Sequence, residues 1–480
     1  MSNLLASLIT SGNALDAYGR VLETAQNNVA NASTPGYVKQ RIDLHALPFD
    51  PNAGTLGGVR SGELESARDE YAEQSVRRQT VSLGHERQMV NSLASLQSLF
   101  NISDNVGIPQ ALNNLFQSFS AWAAAPDSQI ARQTVLGRAT NLAQNFQRAA
   151  NGLAGEAQNT EQQIHGVVDH VNRLVGELQG YNEKVLRGAR HDAGLDAQMH
   201  SALEELSQFV DCTAAFQADG SVTVLLNGNT PLLVGDRQHQ IGWDLHQPDD
   251  PPPIYASAPA HARILASDGA DITADTTGGQ LGALLEIRNQ VLPSYLGDVY
   301  QPGELNRMAK QFADRVNQLL TSGSISDGPP PEAGVALFTY DATNDTAVAQ
   351  TLSLDPSVTH GQLAAIDPGP PYVSNGIPLA LSQLATPLND ADKIDGVSYS
   401  EFYGGMASQV GSRLEEAKNG EQVQQSLVTQ AKDLRRQLCG VSLNEEAAIL
   451  IEFQRAYQAN ARLLTVLDEL TRETINLLHP

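Results

Sequence analysis

Leu450-Ile451-Glu452-Phe453-Gln454-Arg455-Ala456-Tyr457-Gln458-Ala459-Asn460-Ala461-Arg462-Leu463-Leu464, close to the end of a 480-residue chain, decides the fold class. Phe453, Ala456, Asn460, Leu463, Leu467, Leu470, Thr474 and Leu477 step by 3 and 4. So do Leu450, Gln454, Tyr457, Ala461, Leu464, Asp468, Thr471, Ile475 and Leu478. These are two adjacent seams on one helix, so the helix is contacted on two sides. At the other end of the chain, Leu4, Leu8, Ser11, Leu15, Tyr18, Leu22, Ala25 and Val29 step by 4, 3, 4, 3, 4, 3, 4, a heptad seam. It stops at Ser33-Thr34-Pro35-Gly36-Tyr37, where Pro-Gly fits the two central positions of a type II turn. The N-terminal helix can cover one C-terminal seam and leave the other for a neighbouring molecule. One helix pair buries few leucines, at roughly 1.5–3 kcal/mol each, against the ordering entropy of both ends. The ends are therefore expected to be mobile in the isolated chain and to fold on assembly, with an ordinary intramolecular hairpin as the alternative.

Extended or irregular chain is expected through Pro48, Pro51 and the glycines at 54, 57 and 58. The helical period resumes near Ser66 and runs through Val76, Leu83, Leu93, Leu96 and Phe100. A longer helical stretch, about 128–190, places the polar Asn182 on a seam with Val171, Val175, Leu178 and Val185, which suggests a register-setting residue. After Phe209 short β-branched runs alternate with Asp219-Gly220 and Asn227-Gly228, the signature of consecutive hairpins, and Asp268-Gly269 extends it. Helix returns over about 280–320. An acidic segment with Pro329-Pro330-Pro331 and Pro368-Gly369-Pro370-Pro371 reads as short strands and long loops. It has neither seam nor motif, so deleting 326–394 is expected to be mild. Two helices, about 399–438 and 443–478, close the chain.

The expected fold is mainly α with β insertions: N- and C-terminal helices paired as a coiled coil, a long-helix bundle, and small outward β domains. The corresponding domains are 1–37 with 440–480, a terminal inner domain; 38–208 with 279–325 and 396–439, a helical bundle; 209–278, a β-hairpin domain; and 326–395, an acidic Pro/Gly-rich β/loop insertion.

Composition narrows the function. Lys and Arg total 30 against 54 Asp and Glu, a formal net charge of -24. Between Arg315 and Lys393 there is no cation, while Asp327, Glu332, Asp341, Asp345, Asp355, Asp367, Asp390 and Asp392 fall inside the gap. Such a chain repels polyanions, which argues against nucleic acid and anionic lipid as partners. With 41% hydrophobic residues it has material for real cores. No apolar run reaches the length of a bilayer span. The first residues lack the cationic region of a cleavable secretory signal, so export, if it occurs, is expected by a route that reads no cleaved signal. Cys212 and Cys439 form no CxxC pair and read as small buried apolar residues.

Asp390, Asp392, Asp395, Gly396 and Glu401 imitate a calcium loop, but position five is Ile394 and the glycine comes one place late, so a solvated acidic turn is the better reading. Gly278-Gly279-Gln280-Leu281-Gly282 matches neither GxGxxG nor a Walker loop and reads as a flexible helix start. The eleven histidines show no HExxH, and His165 and His170 do not share a helical face. Asn31-Ala32-Ser33 and Asn101-Ile102-Ser103 match the glycosylation sequon. No cofactor, metal or catalytic residue is assigned.

Ala25-Gln26-Asn27-Asn28-Val29-Ala30-Asn31-Ala32-Ser33-Thr34-Pro35-Gly36-Tyr37 resembles the N-terminal signature of the bacterial flagellar axial proteins, the rod, hook and hook-associated superfamily. Gly440-Val441-Ser442-Leu443-Asn444-Glu445-Glu446-Ala447-Ala448 and Phe453–Arg462 resemble its C-terminal signature. That C-terminal form, together with Gly278–Arg288 followed by Val291-Leu292-Pro293, resembles the hook-associated protein 1 branch, found at the hook–filament junction. The resemblance implies a structural adaptor joining hook to filament, with no enzymatic activity. It implies terminal helices lining an inner tube, self-association, and contact with the hook subunit and the second hook–filament junction protein. It also implies unfolded type III export and an export chaperone held by about 440–480. Leu4, Leu8, Leu15, Leu22, Val29, Leu450, Phe453, Tyr457, Leu464, Leu467 and Leu470 are the expected assembly residues, with Pro35, Gly36 and Tyr37 at the turn. Asn27, Asn28 and Asn31 are expected to make inter-subunit hydrogen bonds. A sibling hook or rod subunit, or an enzyme domain hidden in the variable middle, stand as alternatives.

Overall fold

Thirty residues free of proline, Ser2–Asn31, form helix α1, and Pro35-Gly36 ends it. The Tyr37 N–H donates to the Thr34 carbonyl at 3.1 Å and Gly36 sits at φ 73°, the hydrogen bond and backbone of a type II turn. A computed structural model describes residues 2–50, 55–100, 107–190, 192–247, 251–328, 330–369 and 371–478. Pro51, Gly54, Asn101-Ile102-Ser103, Pro329, Pro370 and the side chains of Leu477 and Leu478 lie outside the described residues.

After α1 come β1 (Gln40–Ala46), β2 (Phe49–Asp50), β3 (Thr55–Leu56) and β4 (Val59–Ser66), then α2 (Glu70–Leu99), α3 (Gly107–Ala124), α4 (Gln129–Lys184) and α5 (Ala193–Phe209). Strands β5 (Cys212–Phe216), β6 (Val222–Leu226), β7 (Thr230–Val234), β8 (Arg237–Gln238), β9 (Gly242–His246) and β10 (His261–Leu265) follow. The rest is α6 (Gly279–Glu286), α7 (Leu292–Leu296), α8 (Glu304–Ser322), β11 (Phe338–Thr339), α9 (Val348–Thr351), β12 (Ser353–Leu354), α10 (Gly376–Gln383), α11 (Tyr399–Cys439) and α12 (Leu443–Leu478). The protein is mainly α, with β elements inserted between long helices.

The chain divides into two compact units, each assembled from separated pieces. The first takes 1–82, 172–239 and 424–480. In it α1 pairs with α12, and β1 and β4 form an antiparallel hairpin where extended or irregular chain was expected. Its four-stranded sheet β5-β6-β7-β8 closes through the Asn227-Gly228 and Gly235 turns, whose φ angles of 46°, 75° and 59° lie in the left-handed region. Asn182 binds this sheet directly. Its amide donates to the carbonyls of Val222 (2.8 Å) and Gly235 (2.6 Å), and its carbonyl accepts the Val222 N–H (2.9 Å). The seam asparagine therefore clamps strand backbone, and its register-setting role gives way to that one.

The second unit takes 83–171 and 240–423. Strands β9 and β10 belong to it, so the stretch read as one β-hairpin domain is shared between the units. Its core gathers Phe119, Trp122, Phe146, Phe312, Tyr399 and Tyr403. The acidic segment supplies part of that core. Leu337, Phe338, Val348, Leu352, Leu363, Leu381 and Leu384 are buried, and helices α9 and α10 stand where only strands and loops were expected. Asn317 fastens it to α8, accepting the Leu337 and Phe338 N–H groups at 2.8 and 2.9 Å and donating to the Phe338 carbonyl at 2.8 Å. The expectation that this segment is dispensable is corrected here: most of its large aliphatic residues are buried in the core of the second unit, although Leu379 and Leu388 stay exposed, and its carboxylates mask the pattern.

Candidate assembly site

The terminal helices and the β1–β4 hairpin, all in the first unit, make the site. Helix α1 lies between α12 and the hairpin. Tyr18 meets the Phe453 ring at 5.8 Å between centroids, and further along Asn28 meets Glu446, so the two helices run antiparallel. On the hairpin side the Arg20 guanidinium donates to the Ser61 hydroxyl at 2.7 Å.

A helix covered on two sides buries its middle stripe most deeply, and on α1 that stripe is Ser11, Ala14, Ala17, Val21, Ala25 and Asn28. It is built from small residues, which let the neighbours approach closely. The larger Leu4, Leu8, Leu15 and Leu22 flank it half-buried, and Val29 is exposed. The heptad seam therefore ran mostly along the bulky rim of the contact and met its floor only at Ser11 and Ala25. The run of alanines at helical spacing was the signal for its floor.

On α12, Leu450, Phe453, Leu464 and Leu467 are half-buried, as are Ile449, Ala456, Asn460, Ala461 and Thr471. The half-buried residues come from both seams read in the sequence, while Leu463 (50% exposed), Val466 (54%) and Leu470 (45%) step by 3 and 4 along a face that no described residue covers, and Tyr457 and Ile475 are exposed too. Completing the burial of those first three would contribute roughly half of 1.5–3 kcal/mol each. Near the end of α11, Leu427, Leu434 and Leu438 form another exposed apolar row.

A buried polar knot joins the helix ends. Asn28 is 1% exposed; its amide donates to the Gln40 carbonyl (2.8 Å) and to Glu446 Oε2 (3.2 Å). Its carbonyl accepts from the Gln40 N–H and the Tyr37 hydroxyl, both at 2.9 Å. Lys39 Nζ pairs with Glu445 at 3.0 Å and with the buried Glu446 at 3.2 Å. Burial works against the lysine's charge, yet its bonds to the two glutamates outweigh it and raise its pKa. Burial, helped by the charge of Glu446, pushes the Tyr37 phenol up to about 12, so it remains a donor. The inter-subunit reading of Asn28 is thus replaced by an intramolecular one, because both amide atoms are fully used inside the chain. Asn31 donates to the Asn27 carbonyl (3.0 Å) and side-chain oxygen (2.6 Å), and Asn27 is exposed. Lys39, Gln40 and Glu446 were missed: nothing in the sequence marks a glutamate in a helix's first turn as buried.

The turn itself is seated. A Cβ on Gly36 would lie 2.3 Å from the Ala197 carbonyl oxygen of α5, so only glycine fits, while Pro35 stays exposed. Arg68 donates to the Gly36 carbonyl (2.8 Å) and pairs with Asp196 (2.6 Å) and Glu73. Arg435 bridges Glu73 (2.9 Å) and Glu204 (2.8 Å). Lys432 and Arg435 hold the Glu204 carboxyl below its usual value in spite of burial. Beside this cluster His200 stacks on Phe216, with ring centroids 4.7 Å apart, and burial followed by the charges of Arg68, Arg77 and Arg435 drives its pKa well below the ordinary value. Cys212 and Cys439 are buried thiols; burial pushes Cys212 up to about 11, and Cys439 accepts the Asp69 N–H at 3.2 Å.

In the second unit the calcium-like loop is spoken for: Asp392 pairs with Arg315, Asp395 with Arg307, Asp390 with Lys393, and Glu401 caps Ser398. At Gly282 a Cβ would lie 2.2 Å from the Thr277 carbonyl oxygen, so that glycine serves close packing at a helix start.

The family described as "Flagellar hook-associated protein FlgK helical domain" matches residues 93–338, more than half of the chain, and "Flagellar basal body rod FlgEFG protein C-terminal" matches 439–477, the span of α12. The chain is similar to flagellar hook-associated protein 1 of Bacillus subtilis (strain 168), 25% identical over 99% of each chain. It is 20% identical to the Escherichia coli (strain K12) protein of the same name over 99% of this chain and 100% of that one. The fold is similar to that of the flagellar hook junction protein FlgK from Burkholderia pseudomallei, with a TM-score of 0.64 and 16% identity over 77% of this chain and 100% of that one. On the helical domain between its terminal elements, the chain belongs to the flagellar hook-associated protein FlgK family.

Proposed function

We propose that the chain is a structural adaptor that joins the flagellar hook to the filament and works by packing, without catalysis. The observation that supports this most is helix α12. It is a 36-residue helix held by α1 on one side, while Leu463, Val466 and Leu470 stand in a row on another. An apolar row of that length on a paired terminal helix suits a second copy laid alongside. In this reading 1–37 and 440–480 form an inner layer, surrounded by 38–208, 279–325 and 396–439, with the β insertions turned outward. Its partners are further copies of itself, the hook subunit and the second hook–filament junction protein. The chain leaves the cell unfolded through the flagellar type III apparatus, with a chaperone on about 440–480, and the terminal helices reach full burial only on assembly.

The test is complementation of a strain that lacks the chain. Leu463→Asp with Leu470→Asp is expected to give hooks without filaments and flagellin shed into the medium. Both positions are exposed, so thermal unfolding of the isolated protein should change by no more than about 0.5 kcal/mol. Normal motility would overturn the role of α12. Missing hooks in the deletion strain would favour a hook or rod subunit instead.

A further inference from the structure

A chain with net charge -24 repels its own copies wherever carboxylates face one another. Side-by-side packing of copies therefore calls for a face where they are scarce. From Gln88 to Gly155 the acidic residues are Asp104 and Asp127 alone, against Arg132, Arg138 and Arg148. Within that span α3 and α4 border a cleft of about 450 Å³ whose wall carries Gln110, Asn114, Arg138, Asn141 and Arg148 and, among the described residues, no carboxylate. Positions 138, 141, 145 and 148 step by 3, 4 and 3, so they share one face of α4, and the two arginines stand about 15 Å apart along its axis. Arg138 has no hydrogen-bond or ion-pair partner among the described residues. Arg148 reaches only the Gln144 carbonyl (3.3 Å) and the Asn145 side chain (3.1 Å). Tyr403, 1% exposed, also lines the cleft, and its hydroxyl has no partner among the described residues.

The same unit carries unpaired charge of the other sign. Of the carboxylates between Arg315 and Lys393, Asp345, Asp392 and Asp390 pair with Lys310, Arg315 and Lys393. Asp341, Asp355 and Asp367 accept backbone N–H groups two residues ahead. Asp327 and Glu332 remain: both are exposed, and neither side chain has a partner among the described residues. The segment holding them is pinched by the Ile325 N–H on the Glu332 carbonyl at 2.8 Å.

We propose that the α3–α4 cleft of one copy receives the carboxylates of Asp327 and Glu332 from a second copy. Cleft and carboxylates lie on the same molecule, so the contact is head-to-tail and each copy uses both halves. Repeated around an axis, such contacts build rings or helical tubes. The proposal rests on the reading that copies assemble side by side.

The experiment is sedimentation velocity of the full-length chain at about 20 mM and about 300 mM NaCl, which span long and short screening lengths. Wild-type self-association is expected to weaken as salt rises. Arg138→Glu with Arg148→Glu should lower the association constant about tenfold at low salt and reverse the salt dependence, because the cleft then adds to the repulsion between copies. Asp327→Arg with Glu332→Arg should do the same, and combining all four substitutions should restore association. Circular dichroism of each variant reports folding, and the exposed positions make loss of fold unexpected. Wild-type association that strengthens with salt overturns the proposal. So does an arginine effect that the fourfold exchange does not rescue, since the cleft would then hold some other anion. The Leu463→Asp, Leu470→Asp variant keeps the salt-sensitive association, so failure here and failure of the junction reading are separable.

Discussion

Asparagine does an unusual share of the joining in this protein. Asn28, Asn182 and Asn306 are at most 2% exposed, and each binds backbone groups of a different segment. A carboxamide sets a donor beside an acceptor, the same pairing that a strand edge presents, so one side chain replaces a missing strand. Asn182→Leu keeps the volume but strands one N–H and two carbonyls, so it should cost roughly 2–4 kcal/mol in chemical denaturation. The sequence showed Asn182 as a polar break in a seam; what it binds lay 40 residues away and could not be read. His200 gives a second residue-level expectation. Its folded pKa is depressed, so the unfolded state binds the proton first as pH falls through about 6.5. Its contribution is complete above that point and is lost on acidification. Thermal unfolding followed from about pH 7.5 to pH 5.5 should show a steeper loss in wild type than in His200→Gln.

Among elements, α1 shows how period and depth come apart. The 3–4 spacing of its leucines announced the helix and its partner, yet Ala14, Ala17 and Ala25 went deepest, since the hairpin on the far side needed room. That hairpin carried no seam, and its prolines and glycines looked irregular. The acidic segment misled for the opposite reason: charge and proline hid eight buried Leu, Ile, Val and Phe residues spread over Leu337–Leu384. Each such residue is worth about 2–5 kcal/mol when truncated, and a domain has only about 5–15 kcal/mol in total. Deleting 326–394 should therefore leave the second unit unfolded, seen as early proteolysis and loss of cooperative melting. A soluble, sharply melting deletion protein would refute this.

For the molecule as a whole, the fold class and the pairing of the chain ends were legible, because both rest on local periodicity. The division into units was not. Both units are made from pieces separated by long intervals, and the Arg68–Glu73–Arg435 cluster joins residues with nothing in common along the chain. Interleaving of this kind has a consequence in time. The Asn28–Glu446 bond spans 418 positions, so the first unit cannot close until the ribosome has released the last helix. Even then, contacts between such distant positions form only after the loop-closure entropy between them has been met. Every newly made copy thus passes through an interval in which its last helix is made but its first unit is still open.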